Sequence, residues 1–359
     1  MPAGVRLYLL GETDMHGGDI YRNNVKYDFS VNLNPLGMPS EVRWVLTEAA
    51  LHANKYPDII HEQLKQQTSD IFSCSKDIIV YGNGASELLM AICHAYMPKK
   101  ALMIAPSFSG YKSAIKGAAP KCRIIYHYLS DENDFVVYHS IIEKLIVEKP
   151  QIFFLTNPNN PNGMLLDKQL LDEIIDTCDR IGTLAVVDEC FLPLTGKEKE
   201  YSLAYDVTRY KSLIVLRAFT KTFAMPGVRL GYMLCSKRNI AQTVESHLPE
   251  WNLSIFAQMA GAECLKHLDS IDEAVRLIET ERGYLMEGMR RLGIVVFHSD
   301  ANYILFRCER NDLVEALLEY GILIRDCSDY DGLEEGYYRI AIRQHNENSG
   351  LLSALEDLI

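Results

Sequence analysis

The chain has 359 residues, 48% apolar and 23% charged, a balance that suits a globular protein able to bury a sizeable core. With 36 basic against 48 acidic residues its net charge is −12, which disfavours nucleic acid and anionic membranes as partners and obliges any anionic substrate to be gripped by a local group of arginines. No apolar run approaches the ~20 residues of a membrane span, and the start of the chain has no convincing cleavage site, so a cytoplasmic protein is expected.

Residues 1–45 are rich in Gly, Asn and Pro, as in HGGDIYRNN and YDFSVNLNPLGMP, and read as an N-terminal arm made of turns. On loop composition alone a surface leader explains them equally well. EVRWVLTEAALHA follows with apolar residues at helical spacing, and Pro57 in KYPD is expected to end that helix. From residue 78 strands and helices alternate. The strand candidates are IIVY (78–81), ALMIA (101–105), RIIYHY (123–128), IFFLT (152–156), LAVVD (184–188), SLIVLR (212–217) and RLGYMLC (229–235), with helical patterns such as KQLLDEIIDTCDRIG between several of them. Such alternation predicts an α/β fold whose seven-stranded, mostly parallel sheet is covered on both faces. TGKEKEYS (195–202) reads as a solvated charged loop. Residues 254–292 read as long helical material, followed by strands near IVVFH, NYILFRC, ILIRD and YYRIAIR. The predicted organisation is an arm over 1–45, a large domain over 46–250 and a smaller α+β C-terminal domain over 251–359.

The nine cysteines are odd in number and never form a CxxC pair, which reads as reduced, buried thiols, and the ten histidines show no HxxxH spacing, so no metal site is expected.

Chemistry is expected beyond the carboxyl ends of the strands, and four motifs stand there. After IIVY, GNGASELLMAICHAY puts Gly84, Ala85 and Ser86 at a strand-to-helix turn, where backbone N–H groups and the helix dipole attract phosphate. A dinucleotide site is the rival, but Glu87 replaces its third glycine and the ribose-binding acid ~20 residues on is missing. PSFSGY places Phe108 after ALMIA, and TNPNNPNG places Asn160 in a turn after IFFLT. VVDECF ends a buried strand on Asp188, a carboxylate that is costly there unless paired. Finally, LRAFTKTFAMPGVRLGY carries Lys221 past the end of SLIVLR, followed by Gly227, Arg229 and Gly231.

This last segment resembles the lysine segment of the pyridoxal-phosphate (PLP) dependent aminotransferase-like enzymes of fold type I. The resemblance implies that Lys221 carries the cofactor as a Schiff base and that Arg229 and Thr220 bind its phosphate. Gly84, Ala85 and Ser86 would form the rest of the phosphate cradle, and Phe108 would stack on the pyridine ring. Asn160 would bond the phenolic oxygen and Asp188 the ring nitrogen. Tyr56 would reach the partner's cofactor phosphate across a homodimer interface. Ala218 departs where relatives carry Ser or Thr, Asn162 replaces the Thr of NPTG, and Phe191 stands where most aminotransferases have Tyr.

Within that family, HGG, DFSVNLNPLG, Phe191 and YYRIAIR look like the threonine-phosphate decarboxylases of cobalamin biosynthesis, close cousins of the histidinol-phosphate aminotransferases. The likeness implies substrate contacts from His16, Gly17 and Asn34, a carboxylate grip by Arg339 and a phosphate ligand in Arg325, with Arg343 assisting. The implied catalytic pair is Lys221 and Asp188. The implied reaction is decarboxylation of a small phosphorylated amino acid, O-phospho-L-threonine. Amino transfer from histidinol phosphate and decarboxylation of O-phospho-L-serine are the alternatives, since a methyl pocket discriminates by only ~1–3 kcal/mol. A nicotinamide-dependent dehydrogenase and a non-catalytic binding protein are the rivals from other classes.

Overall fold

The computed structural model describes residues 17–359, so His16 and the first part of the arm lie outside the described residues. We number strands in chain order: β1 (Tyr27–Asp28), β2 (Ile79–Gly82), β3 (Lys100–Ala105), β4 (Arg123–Tyr128), β5 (Ile152–Thr156), β6 (Leu184–Asp188), β7 (Leu213–Ala218), β8 (Gly231–Cys235), β9 (Val295–Val296), β10 (Tyr303–Arg307), β11 (Ile322–Leu323), β12 (Arg325–Asp326) and β13 (Tyr337–Ala341).

Strands β2 to β8 form one seven-stranded sheet in the order β2-β8-β7-β6-β5-β3-β4, parallel throughout except for β8, which runs antiparallel to both its neighbours. Every residue of β5, β6 and β8 is buried. That is why the central strands read as unbroken apolar runs rather than as alternating patterns. The seven expected strands all form, β4, β5 and β6 with the expected ends and the other four with ends shifted by one or two residues. The largest shift is at β8, which starts at Gly231 rather than at residue 229, because Arg229 has a φ of +60°, outside the strand region.

Helices cover both faces and begin and end where local chemistry tells them to. Lys168–Ile181 starts at Asp167, whose carboxylate accepts from the Leu170 N–H at 2.9 Å, and stops at Gly182 in the left-handed conformation. Ile255–Cys264 and Ser270–Arg291 supply the expected helical material. The early helix runs only from Ser40 to Ala49 and tightens into a 3₁₀ turn over Ala50–His52, so it ends well before Pro57.

A second sheet, antiparallel and ordered β12-β13-β10-β9, builds from the C-terminal strands. Beside it the arm forms a separate two-stranded parallel sheet, β1 with β11, and the Ala341 N–H, at the end of β13, donates to the Phe29 carbonyl at 2.8 Å. The segment 195–202 is not merely a solvated loop. Glu198–Tyr201 form one helical turn, and the Glu198 carboxylate accepts from the buried Arg217 at 2.7 Å. All nine cysteines are free thiols and seven are buried. No helix among the described residues is long and apolar enough to cross a membrane.

Candidate active site

A cavity of about 510 Å³ opens beyond the carboxyl ends of β5, β6 and β7, the place where open α/β sheets bind ligands. Its volume suits a cofactor together with a small substrate. Ala85, Ser86, Phe108, Asn160, Asp188, Thr220, Lys221, Arg229, Arg325, Arg339 and Gly17 all line it. Residues separated by as many as 322 positions in the chain thus share one space.

Strand alternation sorts the groups at its floor. Asp188 at the end of β6 and Ala218 at the end of β7 face the cavity. Their neighbours Glu189 and Arg217 are buried on the opposite side and pair with each other at 2.8 Å. Ser202 donates to Glu189 at 2.7 Å and accepts from Arg217 at 2.7 Å, which bridges the two partners of the buried pair.

Asp188 is held in place twice. Its Oδ1 accepts from the Cys190 N–H at 2.9 Å and its Oδ2 from the Tyr111 hydroxyl at 2.8 Å. Thr156 is the register partner of Asp188 on β5, and its hydroxyl lies 2.7 Å from that of Tyr111. Since Tyr111 gives its proton to Asp188, Thr156 donates to Tyr111, and Ser107 in turn donates to Thr156 at 3.2 Å. Burial, reinforced by the Asp188 charge, pushes the Tyr111 phenol well above its usual range, so it remains a donor.

Lys221 lies in the one-turn helix Phe219–Thr222 that follows β7, half-buried, with Nζ 5.6 Å from the centre of the Phe191 ring. Burial first, then the charges of Arg339 and Arg229, lower its ammonium pKa from 10.5 to about 8. A lysine in that state supplies an appreciable neutral amine, the form that attacks carbonyls.

The helix Ala85–Tyr96 aims its N-terminus at the cavity with no side chain capping it. Gly84 does not line the cavity but makes room there. Its φ is +85°, and a Cβ would stand 2.7 Å from the Arg229 guanidinium. The open N–H groups and that guanidinium together form a concave, cationic corner suited to a phosphate. The ring of Phe108 fills the space that a Cβ on Gly110 would need, 2.2 Å from it, and meets Tyr111 edge-on.

The turn after β5 spends its asparagines in different ways. Asn157 accepts from the Leu166 N–H, Asn159 donates to the Pro106 carbonyl and Asn162 donates to the Phe135 carbonyl. Asn160 alone of the four lines the cavity, with its carbonyl oxygen accepting from Arg339 and its amide nitrogen available.

On the antiparallel sheet, Arg325 and Arg339 are cross-strand partners, and both reach the cavity. Arg325 pairs with Asp329 at 2.6 Å, while Arg339 donates to the Ser30 carbonyl at 3.0 Å. Ser30 also accepts the Gly18 N–H on its hydroxyl at 2.7 Å, which brings the arm to the cavity rim.

Three residues named from the sequence stand elsewhere. Asn34 is buried beneath the lysine turn. Its amide donates to the Thr222 carbonyl at 2.8 Å and its N–H to the Lys221 carbonyl at 2.9 Å, so it holds Lys221 in place, and Asn32 lines the cavity instead. Arg343 is committed to Glu347 at 2.8 Å and to the Asp28 carbonyl at 3.0 Å, away from the cavity. Tyr56 projects into solvent, 81% exposed, against the ring of Trp251. Sequence reasoning took Asn34 rather than Asn32 from DFSVNLNPLG, and passed over Tyr111, Thr156 and Tyr330. Among these, only Tyr111 carried a signal, as the next aromatic after Phe108 in PSFSGY.

Residues 24–355 match the aminotransferase class I and II family. The chain belongs to that family and is an α/β enzyme with the fold type I architecture of PLP-dependent transferases. It is 31% identical to the threonine-phosphate decarboxylase of Salmonella typhimurium, over 92% of this chain and 91% of that one. The solved histidinol-phosphate aminotransferase of Clostridium acetobutylicum is 30% identical, with a TM-score of 0.85 over 92% of this chain and 98% of its own. The Sinorhizobium meliloti histidinol-phosphate aminotransferase, solved in complex with pyridoxal-5'-phosphate, shares the fold at 19% identity, with a TM-score of 0.83 and 99% of both chains covered.

Proposed function

We propose that the chain uses PLP to decarboxylate O-phospho-L-threonine, yielding (R)-1-amino-2-propanol O-phosphate and carbon dioxide in cobalamin biosynthesis. The observation that carries this reading is the pairing of Arg325 with Arg339 across β12 and β13, both facing the cavity that holds Lys221. Two fixed cations side by side suit a substrate with both a carboxylate and a phosphate. Similarity to the Salmonella decarboxylase supports the same choice.

The residues present fit the cofactor. Ala85, Ser86, Thr220 and Arg229 would hold its phosphate, Phe108 would cover its ring, Asn160 would donate to its phenolic oxygen, and Asp188 would pair with its ring nitrogen. When bound, PLP supplies the electron sink that stabilises negative charge at the substrate's α-carbon. Asp188 enters the reaction already oriented by Tyr111 and the Cys190 N–H. Arg339 grips the substrate carboxylate and sets its direction, and Arg325 takes the phosphate. Lys221, with its pKa near 8, releases and accepts a proton with little free-energy cost at neutral pH, and it returns one to the α-carbon after carbon dioxide leaves. Phe191 offers no hydroxyl at the face beside Lys221.

Amino transfer is the second reading, favoured by the 30% identity to the Clostridium aminotransferase. Product analysis separates the two. Release of carbon dioxide from O-phospho-L-threonine without 2-oxoglutarate is the expected result. Transfer of the amino group of histidinol phosphate to 2-oxoglutarate would reverse the assignment. Borohydride reduction, digestion and peptide mass analysis test the cofactor itself, with the pyridoxyl mass expected on the peptide containing Lys221.

A further inference from the structure

Three consecutive residues between β12 and β13 each tie the cavity to a different element. The Asp329 carboxylate takes Arg325 through both oxygens, at 2.8 and 2.6 Å. The Asp331 carboxylate accepts from Lys112 at 2.7 Å and from the Tyr126 hydroxyl at 2.9 Å, both on the side of the large sheet. Tyr330, between them, is 5% exposed and lines the cavity. Its ring lies under the Arg325 guanidinium, 5.4 Å from ring centre to Cζ. Its hydroxyl accepts from Arg339 Nη1 at 3.2 Å and points its own proton toward the Asn160 carbonyl oxygen at 3.5 Å. One side chain thus touches both arginines, through different chemistry at its two ends.

We propose that Tyr330 is a positioning residue that holds Arg325 and Arg339 at one fixed separation, so that the site selects ligands whose two anionic groups stand at the matching distance. Asp329 holds Arg325, and Asn160 and the Ser30 carbonyl hold Arg339, but each of those contacts fixes one cation alone. Tyr330 links the two, and without that link binding would have to supply the ordering of one against the other. The ring restrains Arg325 by cation–π attraction and the hydroxyl restrains Arg339 by hydrogen bonding. The flanking aspartates, anchored on Arg325 and on Lys112 with Tyr126, keep the tyrosine from moving. The identity of the ligand rests on the decarboxylase reading above.

The two ends of Tyr330 can be removed separately. In the holoenzyme, Tyr330→Phe keeps the ring under Arg325 and deletes the contact to Arg339, while Tyr330→Leu deletes both. With O-phospho-L-threonine as substrate, Tyr330→Phe is expected to raise KM about tenfold, the scale of one hydrogen bond to a charged group, with kcat little changed. The product, which lacks the carboxylate, should inhibit Tyr330→Phe as well as it inhibits the wild type. Tyr330→Leu should weaken both ligands. An unchanged KM in Tyr330→Phe, or an equal loss for substrate and product, would overturn the proposal. If the wild type instead transfers the amino group of histidinol phosphate, the decarboxylase reading fails by itself. The same comparison then runs between 2-oxoglutarate, with two anionic groups, and histidinol phosphate, with one. The selective loss is expected there too, and its absence overturns the inference.

Discussion

The Arg229 guanidinium occupies the space in which a side chain on Gly84 would sit, with Nη2 2.7 Å from the position of that missing Cβ. The two residues come from different strand ends, β2 and the turn before β8, and those strands are hydrogen-bonded neighbours. Gly84 has φ +85° and ψ 164°, a conformation open to glycine and costing other residues on the order of 1–3 kcal/mol. Gly84→Ala should therefore strain the turn and push Arg229 aside, and PLP should dissociate at least about tenfold more readily, the scale of one lost charged hydrogen bond. Gly227→Ala, where a Cβ meets nothing within 4 Å, is the control and should retain the cofactor. Equilibrium titration of both variants with PLP decides the matter, and equal retention would show that the Gly84 cradle does not hold the phosphate.

Asp188 depends on Tyr111 for orientation. Tyr111→Phe removes the donor at 2.8 Å and leaves the Thr156 hydroxyl without its acceptor. The expected cost is about 1–3 kcal/mol in denaturant stability, together with a fall in kcat, because a loosened carboxylate aligns less well with the cofactor nitrogen. Loss of stability with kcat intact would make Tyr111 a structural residue only.

The sheet was legible because burial on both faces writes itself locally, as in IFFLT and LAVVD, whose residues are all buried. Lys221, Asp188 and Asn160 were legible for a related reason, since each follows such a run and lands at a strand end. Tyr330 was not, because its partner Asn160 lies 170 positions away and no spacing near DCSDYDGL encodes the meeting. Asn34 misled for the same cause. The residue sits in a turn-rich stretch that reads as binding surface, yet its amide is consumed by the Thr222 carbonyl 188 positions on. The charged run 195–202 hid Glu198, whose partner Arg217 is a strand residue that looks apolar by context.

Trp44, Leu51, Tyr56 and Ile60 are 64%, 72%, 81% and 58% exposed, an unusual number of large apolar side chains facing water within one short stretch. We propose that a second copy of the chain covers them, which would carry Tyr56 toward the partner's cavity. Sedimentation should give a dimer, and Leu51→Glu should shift it toward monomer. Tyr56→Ala should keep the dimer but lose cofactor on dialysis. A wild-type monomer that retains PLP would exclude a shared site.

The low pKa of Lys221 carries a definite sign for stability in the cofactor-free protein. Burial and the neighbouring arginines bring the folded-state value to about 8 from 10.5. Below about 8 both folded and unfolded chains hold the proton, and the buried charge exerts its full destabilising effect. Between the two values the unfolded chain still holds a proton that the folded chain has released, so stability rises with pH across that window. Lys221→Leu removes the charge altogether. Its denaturant midpoint should exceed that of the wild type most clearly near pH 7, and the gap should close as pH approaches about 10. The same titration governs capture of PLP by the wild type, whose rate should climb about tenfold per pH unit below 8 and then level off as the neutral amine saturates. A gap between the two proteins that stays constant with pH, or a capture rate still climbing steeply near pH 10, would place the lysine at its ordinary value and remove the basis for its role as a proton carrier at neutral pH.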